Sequence, residues 1–196
     1  MRLGSPLATS TLASLAPRGV AVVETWTPSV WEAAPLFAEE SAQLGPQVPV
    51  GRLREFRLGR ACARRALASL NVPPAPILIG PNGAPVWPTG IVGSITHCSG
   101  YCAAAVAYAD HVAALGIDAE LNEGEARHWE TLVFSARESV YKALSALTGG
   151  WLDFRNVEVT FQPEQHSFSS SRVMALRGYF ARSASHIFTL ATCDAR

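Results

Sequence analysis

The sequence carries little charge and no excess of either sign. Charged residues make up 16% of its 196 residues, and the formal net charge is +0. A chain without net positive charge has no global field that attracts nucleic acid or an anionic membrane surface, so we expect neither as a partner. No apolar run approaches the roughly 20 residues that a transmembrane helix needs. Residues 1–26 also lack the sustained apolar segment of a signal peptide, and we expect a cytoplasmic protein.

Cysteine is scarce and its spacing points to no special chemistry. The four cysteines form no Cys-x-x-Cys pair, and no histidine stands at zinc-binding spacing from them. We therefore expect reduced, mostly buried thiols at Cys62, Cys98, Cys102 and Cys193. Internal repeats and low-complexity linkers are absent as well, and a hydrophobic content of 48% favours a folded chain over a disordered one.

The periodicity of apolar residues predicts a fold that mixes helices and strands. Helices are expected over residues 31–44, 52–70 and 131–147, the last of them ending at Gly149 and Gly150. Strands are expected over residues 19–26, 91–97, 100–108, 112–118, 151–161, 173–182 and 186–193. Residues 81–85 (PNGAP) are typical of a turn.

The predicted helix over residues 52–70 carries a basic ridge of six arginines. These are Arg52, Arg54, Arg57, Arg60, Arg64 and Arg65. Arginine side chains fit phosphate in a bidentate manner, although a solvated helix face with ordinary arginines explains the ridge equally well. Arg60 falls at the apolar edge of the helix, where it should contact an anion or a buried carboxylate.

Two carboxylates follow an apolar strand in the segment ALGIDAE (114–120). Asp118 and Glu120 are two residues apart, so a strand places both on one face. Like charges at that spacing are unfavourable unless a cation joins them, and Mg²⁺ prefers carboxylate oxygens together with water and phosphate oxygens. A solvated strand end is the commoner explanation for such a pair by itself.

The segment FSARESVYK (134–142) places a carboxylate and an ammonium group on one helix face. Glu138 and Lys142 are four residues apart. A capping box from Ser135 to Glu138 and a surface ion pair are the structural alternatives. His97, after Thr96, ends a predicted strand, where it can donate to a phosphate or serve as an ordinary structural histidine. Together these groups suit phosphoryl transfer.

Five stretches, in order, resemble the 4'-phosphopantetheinyl transferases of the surfactin and enterobactin type, close to the actinobacterial members. They are REFRLGRACARRAL (54–67), GAPVWPTGIVGSITHCSGY (83–101), ALGIDAE (114–120), HWETLVFSARESVYKA (128–143) and WLDFRNVEVTF (151–161). The resemblance implies an α+β fold in which two similar α/β subdomains, residues 1–109 and 110–196, pack as a pseudo-dimer around coenzyme A.

The same resemblance implies a role for each candidate residue. Mg²⁺ would be held by Asp118, Glu120 and Glu138, and Glu138 would take the proton from a serine of the carrier protein. The catalytic set would be Glu138, His97, Arg137 and Lys142. The residues that bind coenzyme A would be Arg52, Arg60, Thr96, His97, Arg137 and Lys142, with Arg52 and Arg60 on the 3'-phosphate and Lys142 on the pyrophosphate.

The implied reaction moves phosphopantetheine from coenzyme A to an acyl or peptidyl carrier protein, and the implied enzyme is a monomer. The sequence departs from the family pattern at several places. Arg137 replaces a lysine, Ile79 and Asn82 stand where related proteins often carry lysines, and residues 121–127 and 163–174 form short segments. A catalytically inactive coenzyme A-binding protein and a magnesium-dependent phosphohydrolase acting on a free nucleotide are the alternatives.

Overall fold

The structure is a computed structural model that describes residues 11–26, 34–148, 154, 157–171 and 176–195. Within these residues the helices are α1 (Ala38–Ala42), α2 (Val50–Ser69) and α3 (His128–Thr148). The strands are β1 (Val20–Thr25), β2 (Leu78–Ile79), β3 (Pro85–Val86), β4 (Ile91–Cys98), β5 (Tyr101–Tyr108), β6 (Val112–Leu121), β7 (Thr160–Gln162), β8 (Ser167–Ser169), β9 (Leu176–Arg182) and β10 (His186–Asp194). Short 3₁₀ helices lie at Leu12–Leu15, Pro81–Gly83 and Pro163–Gln165.

The first half of the chain forms an antiparallel sheet in the order β1-β5-β4, with α2 on its outer face. Strand β5 (YCAAAVAY) is buried on both faces because its small and β-branched residues alternate between two layers. Cys102, Ala104 and Val106 pack against α2. The close approach of α2 depends on Gly59, since a Cβ at that position would lie 3.0 Å from the side chain of Ile95.

The second half forms an antiparallel sheet in the order β6-β10-β9-β8-β7, with α3 packed on β6 and β10. Gly116 determines how closely α3 and β6 approach, because a Cβ there would lie 1.9 Å from the carbonyl oxygen of Ser139. Gly116, Asp118 and Glu120 occupy every second position of β6, so all three lie on the face that α3 covers. The packing that brings the helix backbone onto Gly116 therefore also brings α3 onto the two carboxylates.

The inner faces of the two sheets pack together, so the layers run α2, first sheet, second sheet, α3. The core between the sheets contains Ala103 and Ala105 of β5, Leu115 and Ile117 of β6, and Phe188 of β10, all buried. At one edge β4 lies beside β6 without a backbone ladder between them. The hydroxyl groups of β4 instead accept hydrogen bonds from backbone amides of β6.

The arrangement confirms the predicted α+β class. Every described strand of the first sheet lies within residues 1–109 and every strand of the second within 110–196. Each sheet carries one long helix, but the halves are unequal, with three strands in one sheet and five in the other among the described residues. No helix in the described ranges is long and apolar enough to span a membrane.

Two of the predicted elements differ from the structure over the described part of their length. In the helix expected over 31–44, only Ala38–Ala42 is helical, since residues 34–37 are not, and residues 31–33 lie outside the described residues. In the strand expected over 151–161, residues 157–159 form a loop and β7 begins at Thr160, while residues 151–153 and 155–156 lie outside the described residues. The predicted helix stop at Gly149 and Gly150, and residues 173–175 of a predicted strand, lie outside the described residues.

The other long elements were predicted closely. Helices α2 and α3 differ from the predicted ranges by one to three residues at each end, and β6 runs three residues beyond its predicted end, to Leu121. All four cysteines are free thiols, and Cys62, Cys102 and Cys193 are buried while Cys98 is partly exposed. The prediction of reduced, mostly buried thiols is therefore confirmed.

Candidate active site

Asp118 and Lys142 form the centre of the candidate site, where β6 passes under α3. The ammonium group of Lys142 lies 2.6 Å from Oδ1 of Asp118 and donates a second hydrogen bond, at 3.1 Å, to the carbonyl oxygen of Ile117. Asp118 is only 4% exposed. A buried carboxylate is costly unless it is paired, and Lys142, the only lysine in the sequence, supplies the opposite charge.

Two further carboxylates lie beside this pair. Burial raises the pKa of Glu120 to about 7, and the negative charges of Asp118 and Glu138 add to the effect while Lys142 opposes it. Burial also raises the pKa of Glu138, with Lys142 opposing and Asp118 contributing. The three carboxylates therefore share one electrostatic environment that contains more negative charge than Lys142 neutralises. We define Asp118, Glu120, Glu138 and Lys142 as the carboxylate cluster.

One oxygen of the cluster suits a cation. Oδ2 of Asp118 is buried and has no hydrogen-bond partner among the described residues. A buried carboxylate oxygen in that condition carries a full desolvation penalty unless another group compensates it. No three His, Cys, Asp or Glu side chains of the described residues are arranged to hold a metal ion by themselves. Mg²⁺ commonly uses one or two protein carboxylates and takes its other ligands from water and phosphate, so the donor set fits this ion.

Thr96 positions Asp118 from the neighbouring strand. Its hydroxyl group donates to Oδ1 of Asp118 at 3.4 Å and accepts a hydrogen bond from the backbone amide of Ala119 at 3.2 Å. Ser94, two residues earlier on β4, accepts the backbone amide of Ile117 at 3.1 Å. Strand β4 thus fixes the edge of β6 that carries the carboxylates. The hydroxyl of Thr96, which we expected to bind coenzyme A, is engaged inside the protein.

His97, on β4, lies within electrostatic reach of Asp118 and Lys142 of the carboxylate cluster and of Arg52 at the start of α2. Burial lowers the pKa of His97, and the charges of Arg52, Lys142 and Asp118 all act on the ring. The side chains of Arg52 and His97 both face Glu55. Its Oε2 is 3.8 Å from Nη1 of Arg52 and 3.8 Å from Nε2 of His97. The sequence analysis missed Glu55, although it is the only acidic residue of α2.

The basic ridge of α2 is divided between two environments. Arg64 pairs with the fully buried Glu40, at 2.9 and 3.0 Å, and donates to the carbonyl oxygen of Pro35. Arg60 is buried, donates from Nε to the carbonyl oxygen of Ile77 at 2.7 Å and lies 4.1 Å above the ring of Phe56. The ridge is therefore not one continuous phosphate-binding surface.

The predicted contact of Arg60 with an anion or a buried carboxylate stays a prediction, since the described hydrogen bond of Arg60 goes to a backbone carbonyl oxygen and the buried Glu40 acts on it only electrostatically. Burial lowers the pKa of Arg60 to about 10, and the charge of Glu40 opposes that effect. Arg52 also acts electrostatically on Arg60, so the two arginines assigned to the 3'-phosphate lie on one side of α2. Arg60 nevertheless has structural contacts of its own, whereas Arg52 is 56% exposed.

The capping box proposed as an alternative for Ser135 and Glu138 is wrong. Helix α3 begins at His128, so Ser135 lies two turns inside the helix. Its hydroxyl group is buried and forms a hydrogen bond with the hydroxyl of Thr189 on β10 at 2.9 Å. Ser135 therefore anchors α3 to the sheet. Glu138 has no capping function and acts with Asp118 and Lys142 in the carboxylate cluster.

Arg137 and the two other departures from the family pattern lie at different places. Arg137 is partly exposed on α3, and its Nε is buried without a hydrogen-bond partner in the described part of the chain. Ile79 lies in β2, where its backbone is held on both sides by Gln43. Asn82 occupies a turn with a φ of 57°. Ile79 and Asn82 therefore both lie in the hairpin of β2 and β3, Ile79 in the strand and Asn82 in the turn.

An open cleft of about 450 Å³ extends from Glu120 towards the start of α3. It is lined by polar and apolar groups in similar amounts, among them Cys98, Ser99, Thr131 and the exposed ring of Phe134. The cleft begins at the carboxylate cluster. A long flexible substrate can therefore lie along the protein surface with its reactive end at Glu120.

Comparisons with known proteins identify the family of this chain. Residues 39–107 match the 4'-phosphopantetheinyl transferase N-terminal domain, and residues 110–190 match the 4'-phosphopantetheinyl transferase superfamily. The chain is 46% identical to 4'-phosphopantetheinyl transferase Svp of Streptomyces mobaraensis, in a match that covers 69% of this chain and 65% of that protein. It is 40% identical to 4'-phosphopantetheinyl transferase PptT of Mycobacterium tuberculosis, over 68% of this chain and 65% of that one.

A third relative, 4'-phosphopantetheinyl transferase Npt of Nocardia iowensis, is 43% identical over 61% of this chain and 64% of its own. The two matched regions together take up most of residues 39–190. The chain belongs to the 4'-phosphopantetheinyl transferase superfamily, and the predicted resemblance to its actinobacterial members is confirmed. The matches span just under two thirds of the length of these relatives.

Proposed function

We propose that this chain transfers the 4'-phosphopantetheine group of coenzyme A to a serine of an acyl or peptidyl carrier protein. The products are holo carrier protein and adenosine 3',5'-bisphosphate. One observation carries the proposal beyond family membership: Asp118 and Lys142 of the carboxylate cluster and Arg52 all act electrostatically on His97, so carboxylate, base and phosphate-binding groups surround one histidine. Phosphoryl transfer depends mainly on positioning and on neutralising charge, and this set of groups provides both.

Asp118, Glu120 and Glu138 are the residues that would hold Mg²⁺. The unpaired Oδ2 of Asp118 and the pKa of Glu120, raised by burial and by the neighbouring carboxylates, support this assignment, because a bound cation would satisfy the oxygen and favour the ionised carboxylate. The ion, when bound, would supply positive charge that neutralises the pyrophosphate of coenzyme A. Lys142 and Thr96 keep Oδ1 of Asp118 occupied, so Oδ2 is the oxygen that would be available to the ion.

Glu138 is the residue that takes the proton from the carrier serine, directly or through a water molecule. Its pKa is raised mainly by burial, and a carboxylate with a raised pKa is a stronger base. The serine oxygen then forms a bond to the β-phosphorus of coenzyme A. The bond from that phosphorus to the bridging oxygen of the pyrophosphate breaks, and adenosine 3',5'-bisphosphate leaves with this oxygen.

The remaining residues bind and orient coenzyme A. Lys142 and Arg137 contact the pyrophosphate, and Arg52 and Arg60 the 3'-phosphate. His97 contacts the 3'-phosphate or the pyrophosphate, and since burial lowers its pKa it acts as a neutral hydrogen-bond donor near pH 7. Thr96 contributes through Asp118, to which its hydroxyl donates.

The proposal includes several properties of the whole enzyme. We place the boundary between two subdomains at residues 109 and 110, with coenzyme A between them, and expect a monomer in the cytoplasm that acts on no nucleic acid. The near-zero net charge and the absence of a membrane-spanning helix from the described residues support these expectations. A carrier protein docks beside the cleft that begins at Glu120.

The test is to incubate the protein with coenzyme A, Mg²⁺ and a panel of apo carrier proteins and to measure the intact mass of each carrier. A gain of one phosphopantetheine that is lost with a chelator, or with Ala at the carrier serine, is the expected result. Coenzyme A binding without any mass gain would instead indicate an inactive coenzyme A-binding protein. Release of phosphate from a free nucleotide, without a protein acceptor, would indicate a phosphohydrolase.

A further inference from the structure

Glu55 is placed unusually among positively charged groups. Helix α2 contains six arginines and no other acidic residue. Arg52 precedes Glu55 by three residues and so lies on the same face of the helix, while His97 approaches from β4. A single carboxylate oxygen, Oε2, is 3.8 Å from both nitrogen atoms, on Arg52 and His97. Glu55 thus bridges the two elements that supply these groups.

The contacts of Glu55 with Arg52 and His97 are weak enough for a ligand to replace them. Both distances are longer than a hydrogen bond, and the side chains are 56% exposed for Arg52, 45% for Glu55 and 38% for His97. Exposed ion pairs of this kind contribute little stability. Glu40, by contrast, has a structural role, because it is fully buried and both of its oxygens accept hydrogen bonds. Glu55 does not have such a role.

A phosphate group offers Arg52 and His97 more than the carboxylate does. It carries up to two negative charges and can accept hydrogen bonds from both donors at once. A phosphate in contact with both would, however, lie within a few ångströms of Glu55, where like charges repel. The carboxylate and a phosphate cannot both use the two donors without this cost.

We propose that the carboxylate of Glu55 competes with the 3'-phosphate of coenzyme A for Arg52 and His97, and so limits the affinity of the site for ligands that carry this phosphate. The inference rests on the proposed function, which assigns Arg52 to the 3'-phosphate and has His97 bind coenzyme A beside it. Its consequence is kinetic as well as thermodynamic. Adenosine 3',5'-bisphosphate, the product, carries the same phosphate, and the competition of Glu55 favours its release.

The experiment compares Glu55→Gln and Glu55→Ala with the wild type in calorimetric binding of adenosine 3',5'-bisphosphate. Both variants should bind about three- to tenfold more tightly at low salt, and the gain should shrink at high salt because it is electrostatic. Adenosine 5'-monophosphate, which lacks the 3'-phosphate, should bind all variants equally. Measurement at about pH 8 keeps His97 neutral in each protein, so the influence of Glu55 on the protonation of His97 does not enter.

Glu164→Gln is the matched control. Glu164 is exposed and follows β7, at the opposite edge of the second sheet from β6, so the variant removes the same charge far from the site. It should bind both nucleotides as the wild type does. In turnover, the Glu55 variants should show a lower KM for coenzyme A and stronger inhibition by adenosine 3',5'-bisphosphate, with no increase in kcat.

The outcomes separate this inference from the proposed function. Unchanged or weaker binding of adenosine 3',5'-bisphosphate by both Glu55 variants, with normal binding by the wild type, would overturn the competition alone and make Glu55 a residue that positions Arg52 and His97. A wild type that binds coenzyme A but does not distinguish adenosine 3',5'-bisphosphate from adenosine 5'-monophosphate would overturn the 3'-phosphate assignment, and the competition with it.

Discussion

At the scale of single residues, the two oxygens of Asp118 have different surroundings. Oδ1 accepts from Lys142 and Thr96, whereas Oδ2 is buried with no partner within the described ranges. Because Lys142 is the only lysine of the chain, no neighbouring lysine can replace it in this contact. The pairing holds the carboxylate in one orientation and keeps its second oxygen available, which is what a cation site that also binds phosphate requires.

Glu138→Gln should abolish transfer while sparing the binding of coenzyme A. The amide is nearly isosteric with the carboxylate but cannot accept the serine proton, and loss of a general base typically lowers a rate by about 10²–10⁴-fold. Carrier modification followed by intact mass measures the rate, and calorimetry measures binding. Glu164→Gln should transfer normally. A turnover like that of the wild type in Glu138→Gln would remove Glu138 from the mechanism.

Glu120 should make the stability of the metal-free protein depend on pH. Its pKa in the folded protein is about 7, against an ordinary value of 4.5, so between these values the folded state binds more protons than the unfolded state. Stability therefore falls as pH rises through this window. In chelator above pH 7, Glu120→Gln should be more stable than the wild type by about 1 kcal/mol, because partial exposure screens much of the shift.

Urea unfolding over a range of pH measures this difference, which should close below about pH 4.5, where Glu120 is protonated in both states. Added Mg²⁺ should stabilise the wild type at pH 8 and stabilise the variant less. A wild type whose stability is flat between pH 4.5 and 7, relative to the variant, would mean that neither burial nor the neighbouring carboxylates raise the pKa of Glu120.

The sequence was sufficient for some of these residues and not for others. The period of a strand placed Asp118 and Glu120 on one face, and the period of a helix did the same for Glu138 and Lys142, because these relations are local. Glu55 was missed because its partner His97 lies on another element. Ser135 was misinterpreted for a similar reason, since its partner Thr189 is 54 residues away.

At the scale of elements, the crossing of β6 and α3 decides whether the carboxylate cluster forms. Gly116→Ala would place a Cβ 1.9 Å from the carbonyl oxygen of Ser139 and 2.7 Å from the backbone amide of Ala143. Backbone atoms cannot move aside as a flexible side chain can, so α3 must shift away from β6. That shift would separate Glu138 and Lys142 from Asp118.

Gly116→Ala should therefore lose about 1–3 kcal/mol or more of unfolding free energy and most of its transfer activity. Denaturant unfolding and the carrier assay measure the two effects. Gly45→Ala is the control, because a Cβ at Gly45 meets no atom within 4 Å, and it should be close to neutral. A Gly116→Ala protein with unchanged stability and activity would show that α3 does not need this close approach.

Whether an element could be predicted from the sequence depended on how long and continuous its apolar pattern is. Helices α2 and α3 were predicted well because they are long and carry a continuous apolar stripe. The helix expected over 31–44 contains Pro35, which disfavours helix in the residue before it and removes an amide donor. The described helix begins after it, where Glu40 accepts from the backbone amide of Phe37. Local apolar spacing alone could not reveal that interruption.

At the scale of the whole molecule, the two halves join through a core between two sheets and through the edge where β4 meets β6. The core is made of alanines, leucines and aromatic residues that bury area without specifying an alignment. The edge is specific, because the hydroxyl groups of Ser94 and Thr96 on β4 each accept a hydrogen bond from one backbone amide of β6. The site draws Thr96 and His97 from one half and the carboxylate cluster from the other, so its geometry depends on this alignment.

Ser94→Ala tests the edge without touching a residue assigned to the chemistry. The substitution leaves the backbone amide of the fully buried Ile117 without its partner, and an unsatisfied buried donor costs about 1–3 kcal/mol. The urea midpoint should therefore fall, with an unchanged slope, since both halves still unfold together. Transfer should slow as well, because the strand that carries Asp118 is then held against β4 only through Thr96. Ser41→Ala, at an exposed position of α1, should change neither quantity. Two separate unfolding transitions in the wild type would mean that the halves are independent, and the alignment of the site would then have to come from the ligand.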